Sequence, residues 1–261
     1  MTMLRRPDVD KVSTAASITA SPGYPRFAPV GDTALTVEFG NTVAPELNEQ
    51  VIALDTALAA AELDGIVETV PSYRSLLVCY EPLEISYHKL VVELRHLLER
   101  GLPERMRRST MWHVPVHYEP PYCIDLPEVA WRSGLTEEQV VGLHSSAEYI
   151  VYTIGYAPGM PYLGGMPAAL HLSRRETPRP RIEAGAVMIG GAQGCIVPTT
   201  VPSAWYQLGA TPLRPFDLSR SDPFLFRPGD RIRFRRVGSA EFDDLSRLSF
   251  EALVPYVRAN A

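Results

Sequence analysis

Polar and apolar residues alternate through Thr33–Phe39 (T-A-L-T-V-E-F), the period of a half-buried strand, after a Gly31-Asp32 turn. From Ala44 to Leu63 the period lengthens. Leu47, Val51, Leu54, Leu58 and Ala61 fall on one stripe and predict a helix. Val67–Tyr80 reads as two strands broken near Pro71-Ser72, and Ser86–Glu99 as a second helix with Leu90, Val91, Leu94 and Leu97 facing inward. The order β–β–α–β–β–α predicts a small two-layer α+β domain over residues 27–104. Residues 1–26 read as a disordered tail, and the basic run Arg105–Arg108 as a linker, placing the boundary at Leu102–Arg108.

A different rhythm follows. Trp112–Tyr118 (W-H-V-P-V-H-Y) reads as a strand opening a second domain over residues 109–240. Two short helices are marked by N-cap spacings: Asp125-x-x-Glu128, with Pro127 in the first turn, and Thr136-x-x-Gln139. After Tyr149–Thr153 the chain runs through short strands and glycine- and proline-rich loops to Phe234. The chain has 24 prolines, crowded into this half, and proline belongs at turns, strand starts and edges. The pattern predicts a mostly-β barrel or sandwich with two helices. Residues 241–261 read as a C-terminal tail, with Ser246–Arg258 patterned as a helix.

Composition narrows the function. Apolar residues are 46% and charged residues 21% of 261, as in soluble domains, and no apolar run is long enough to span a bilayer. A net charge of −5 argues against a nucleic-acid partner. Lys11 and Lys89 are the only lysines, which leaves little for Schiff-base or phosphate chemistry. Three cysteines without a C-x-x-C pair, and no apolar core in the first 26 residues, make a reducing cytoplasm the expected compartment. There is no P-loop, no G-x-S-x-G elbow and no H-E-x-x-H. His113 and His117 would share a strand face, but no third ligand lies near them in sequence, so no metal site is assigned.

Two segments hold the candidate chemistry. His144–Gly165 reads H-S-S-A-E-Y-I-V-Y-T-I-G-Y-A-P-G-M-P-Y-L-G-G, and Thr177–Gln193 reads T-P-R-P-R-I-E-A-G-A-V-M-I-G-G-A-Q. Glycines and prolines in the first would shape a rigid loop presenting Tyr156 and Tyr162. In the second, Arg179 and Arg181 are two apart, so on a strand they share a face and are placed to grip a carboxylate or phosphate. Glu183 is an equally well placed partner for Arg181, and a packed barrel corner with surface arginines accounts for the same pattern. Backbone N–H groups near Gly190-Gly191 are candidate oxyanion donors. Cys195 is read as either a buried hydrophobe or a reactive thiol.

These segments, together with Gly31–Phe39 and Pro228–Phe234 (P-G-D-R-I-R-F), resemble the family that holds the B-type subunit of 5-oxoprolinase (PxpB), the kinase inhibitor KipI and allophanate hydrolase subunit 1. The resemblance runs from Pro25 to about Val237. It implies a cyclophilin-like barrel after the α+β domain, and partners: a C-type subunit of related fold and an A-type subunit. It implies ATP-dependent opening of the 5-oxoproline lactam, with ATP used by the complex rather than held by a nucleotide loop here. On that reading Arg179, Arg181, Gln193, Tyr162 and Trp205 bind a small anionic substrate, and His144 and Tyr156 transfer protons. Two alternatives are a diverged catalyst of ring opening, cyclisation or carboxyl transfer on another molecule, and a KipI-like histidine kinase inhibitor. The chain departs from the family pattern at Ala186, where the family has serine, at Ser203 and Ala204, where it has glycines, and at Ala210, where it has arginine.

Overall fold

The structure, a computed structural model, describes residues 23–102 and 109–259; most of the expected N-terminal tail and the Arg105–Arg108 linker lie outside them. The first unit contains β1 (Arg26–Pro29), β2 (Ala34–Glu38), α1 (Pro45–Ala61), β3 (Ile66–Pro71), β4 (Ser75–Tyr80) and α2 (Tyr87–Glu99). Its four strands pair antiparallel in the order β1-β2-β4-β3. Pro45, with φ already near the helical value, starts α1, and the apolar stripe then buries Val51, Leu54 and Leu58. Ser86 caps α2 by accepting a hydrogen bond from the Lys89 N–H. Leu90 and Leu94 meet Leu35, Val37, Leu76 and Val78 in one core.

The second unit continues with β5 (Met111–Val116), α3 (Leu126–Ser133), α4 (Glu137–Ser146), β6 (Glu148–Ile154), β7 (Pro161–Gly164), β8 (Arg179–Ile182), β9 (Ala186–Gly190), β10 (Gln193–Ile196), β11 (Val201–Ser203), β12 (Tyr206–Ala210), β13 (Arg231–Arg236), α5 (Ser239–Ser246) and α6 (Phe250–Ala259). Seven strands form one sheet in the order β12-β9-β10-β7-β6-β13-β5. Neighbours are antiparallel except β13 and β5. The sheet curls until its ends meet: just past β5, His117 exchanges backbone hydrogen bonds of 2.9 and 3.0 Å with Ala210, the last residue of β12. The result is a nearly closed barrel. Trp112, Val114, Tyr149, Leu163, Ile189, Tyr206 and Phe234 fill it.

Alternation explains β13, where Ile232 and Phe234 point into the core while Arg231 and Arg233 reach Glu148 outside. The β6–β7 hairpin is packed so closely that a Cβ on Gly164 would lie 1.9 Å from the Tyr152 ring. Thr136 and Gln139 form the reciprocal cap that their spacing predicts. The stretch after residue 240 holds two helices rather than one, and Leu253 and Val257 of α6 are buried in the barrel core.

Candidate functional site

Between β6 and β7 the chain turns through residues 155–160, closed by Gly155 N–H to Met160 O (3.1 Å) and Met160 N–H to Ala157 O (3.0 Å). Tyr156 takes φ +65°, which a side chain rarely adopts outside a constrained loop. The turn leaves its ring 66% exposed, and its hydroxyl donates to the Pro202 carbonyl at 2.9 Å. Below it, Tyr162 on β7 meets Trp205 edge-on at 5.7 Å, and the Arg174 guanidinium lies 5.7 Å from the same indole. These groups, with Ser203 and Ala204, line a cleft of about 170 Å³.

Two further polar groups lie near the cleft without lining it. Gln193, at the start of β10, lies near enough to the hydroxyl of Tyr73, which comes from the α+β unit, to favour its ionised form. Burial pushes the Tyr73 and Tyr162 hydroxyls above the usual phenol range, while Arg174 pulls both back down. Arg174 is exposed and has no carboxylate partner among the described residues. An unpaired guanidinium, two tyrosines and an indole can hold a small anion with a flat body. Tyr156, Tyr162 and Trp205 line this cleft, and Gln193 lies outside its lining. Arg174 and Tyr73 escape sequence reasoning: Arg174 precedes the proline-arginine run, and Tyr73 lies in another fold unit.

The two expected anion ligands do not converge. Arg179 makes a two-pronged pair with Asp125, at 2.6 Å on each oxygen, while Arg181 pairs with Glu183 at 2.5 Å. Asp125, which is 1% exposed, also accepts hydrogen bonds from Arg175 (2.9 Å) and from the Gln207 N–H (2.8 Å). The spacing of Asp125 predicts a helix cap, yet its carboxylate makes no capping bond to α3, because these more distant cations hold it. His144, at the end of α4, is wholly buried. Its Nδ1 lies 2.7 Å from the Tyr118 hydroxyl, its ring stacks on Phe234 at 4.5 Å, and its Nε2 has no partner among the described residues. It does not line the Tyr156 cleft. His117 Nδ1 lies 3.2 Å from the Val237 carbonyl oxygen, and Cys195 is buried in a small apolar cluster.

The model of the carboxyltransferase domain, subdomain C and D, matches residues 25–226. The chain belongs to this family. It is 32% identical to the B-type subunit of 5-oxoprolinase from Bacillus subtilis over 223 residues, covering 82% of this chain and 93% of that protein. To the corresponding 5-oxoprolinase chain of Escherichia coli O157:H7 it is 36% identical over 208 residues, covering 78% and 93%. Among solved structures it is similar to the crystal structure of TTHA0988, at 38% identity and a TM-score of 0.70. That match covers 79% of this chain and only 40% of TTHA0988.

Within this carboxyltransferase fold, departures from the family pattern at Ala186, Ser203, Ala204 and Ala210 separate into two places. Ser203 and Ala204 line the Arg174 cleft. Ala186 and Ala210 pair across β9 and β12 and line a different, larger cavity. No described helix begins at a glycine-rich, lysine-bearing loop. No helix among the described residues is long and apolar enough to cross a membrane.

Proposed function

We propose that this chain is a B-type subunit of an ATP-dependent 5-oxoprolinase, working with A- and C-type subunits to open the lactam to glutamate. The observation that carries the reading is the match to two 5-oxoprolinase chains of this type across 93% of each. Two further features support it. The same fold in TTHA0988 is less than half of a longer chain, as expected for a module that works beside others. The Arg174 cleft also suits a molecule as small as 5-oxoproline, whose carboxylate would meet the guanidinium. Tyr162 and Trp205 would flank the ring, Gln193 would hydrogen-bond an amide or carbonyl, and Tyr156 is the exposed hydroxyl for proton transfer at the mouth. Opening an unstrained amide near neutral pH is uphill, which is why phosphorylation is coupled to it; the ATP would sit on a partner. The family kinship also supports reading the barrel as cyclophilin-like, the two units as separate domains, and the cytoplasm as the compartment.

The test is reconstitution with the A- and C-type subunits and measurement of 5-oxoproline-dependent ADP release. Release that needs all three chains is expected, and no release with all three present overturns the proposal. Arg174→Gln should raise the KM for 5-oxoproline about 10- to 150-fold, the loss of one charge-assisted contact of roughly 1.5–3 kcal/mol. A second reading, a diverged enzyme for another small molecule, is favoured by Ser203 and Ala204 in that cleft; turnover of a related lactam or amide acid in preference to 5-oxoproline would select it.

A further inference from the structure

Where the two ends of the barrel sheet meet, a second cavity of about 550 Å³ opens, more than three times the volume of the Arg174 cleft at about 170 Å³. Its size falls in the range of metabolite-binding pockets. Its floor is small by sequence, because Ala186 and Ala210 are paired in register there. One wall is held rigidly. Gly185 takes φ +87°, donates to the Val197 carbonyl and accepts from the Thr211 N–H, both at 2.8 Å, and would place a Cβ 2.6 Å from the Thr211 carbonyl oxygen. The opposite wall is apolar, formed by Tyr122, Ile124 and Phe242. Ile124 is half exposed, an uncovered hydrophobe at the lip.

The polar groups of this cavity are specific about what they lack. Gln207 uses its backbone N–H on Asp125 and its side-chain Nε2 on the Tyr122 carbonyl, each at 2.8 Å. Its Oε1 receives no hydrogen bond from the described residues, so it offers a free acceptor beside the second Nε2 N–H. Arg181 and Glu183 neutralise each other at the rim. Arg214 has no carboxylate partner among the described residues; Asp217 is within its electrostatic reach but is hydrogen-bonded by Ser219. Among the charged residues lining the cavity, Arg214 is thus the one that makes no direct ion pair with a described residue.

We infer that this cavity is a separate ligand site for a monoanionic carboxylate that also carries an N–H donor and an apolar body, the chemistry of an N-acyl amino acid. The carboxylate lies on Arg214, the N–H donates to Gln207 Oε1, and the apolar side chain covers Tyr122, Ile124 and Phe242. The site is independent of the 5-oxoproline reading and needs no partner chain.

Isothermal titration of the full chain with N-acetyl-L-phenylalanine tests it. Saturable binding is expected, weakened about 10-fold or more both by Arg214→Gln and in the analogue whose N–H is replaced by an ester oxygen. Ala184→Phe, on an exposed turn at the edge of the cavity, should block binding without touching the barrel core. Arg174→Gln should leave the affinity unchanged. No saturable binding at millimolar probe overturns the inference. So does binding that survives Arg214→Gln and Ala184→Phe, or binding abolished by Arg174→Gln, which would return the ligand to the smaller cleft.

Discussion

At the scale of one residue, burial decides what a side chain can do, and His144 shows it. Its motif position marks it for proton transfer, but pattern alone says nothing of the Tyr118, Tyr149 and Phe234 rings that exclude water around it. Desolvation lowers its pKa from 6.5 to about 3, so the folded protein keeps it neutral. The unfolded chain binds a proton below pH 6.5 that the folded chain refuses. The stability this lends is therefore complete above pH 6.5 and is lost as pH falls, by about 1.4 kcal/mol per unit. His144→Phe removes the titration but costs a roughly constant amount, since the Tyr118 hydroxyl loses its partner. We expect the stability gap between wild type and His144→Phe, from urea unfolding, to shrink by about 1.4 kcal/mol between pH 7.5 and pH 5.5. A gap equal at the two values means that the folded protein protonates this ring.

Among elements, what the sequence shows depends on how far away the partner lies. The reciprocal cap of Thr136 and Gln139 is legible because both members sit within one turn. The same spacing at Asp125 misleads, because its carboxylate answers to Arg175 and Arg179, 50 and 54 residues on, and to the Gln207 N–H. The alternation of Arg179 and Arg181 is read correctly as a strand, yet nothing local reveals that a buried acid has claimed one of them. Asp125 thereby ties α3 to β8 and β12. Removing one partner of a buried ion pair strands the others, which costs about 3–5 kcal/mol. We expect Asp125→Ala to lose about that much in chemical denaturation, while Arg181→Ala, on the surface, leaves the midpoint unchanged. A loss below about 1 kcal/mol for Asp125→Ala would show that water replaces the carboxylate.

Across the whole molecule the α+β and barrel cores are each visible in hydrophobic periodicity, but the seam between them is not. It is made of polar groups that look ordinary in sequence. Asn48, one residue past Leu47 on the α1 stripe, is 1% exposed. Its amide donates to the Ser72 carbonyl at 2.8 Å and, across the seam, to the Tyr152 carbonyl at 3.2 Å. Thr153 donates to the Pro71 carbonyl at 2.8 Å, and Tyr73 packs edge-on against Tyr152. The position of Tyr73 against the barrel thus depends on this seam. Asn48→Ala leaves both carbonyls without that donor, at about 1–3 kcal/mol. Because one of those bonds joins the two units, the cost falls on their coupling as well as on α1. Calorimetry is expected to show one transition for the wild type and two for Asn48→Ala, the α+β unit melting first. A single transition in the variant, shifted uniformly downward, would mean that Thr153 and the Tyr73–Tyr152 contact hold the units together without it.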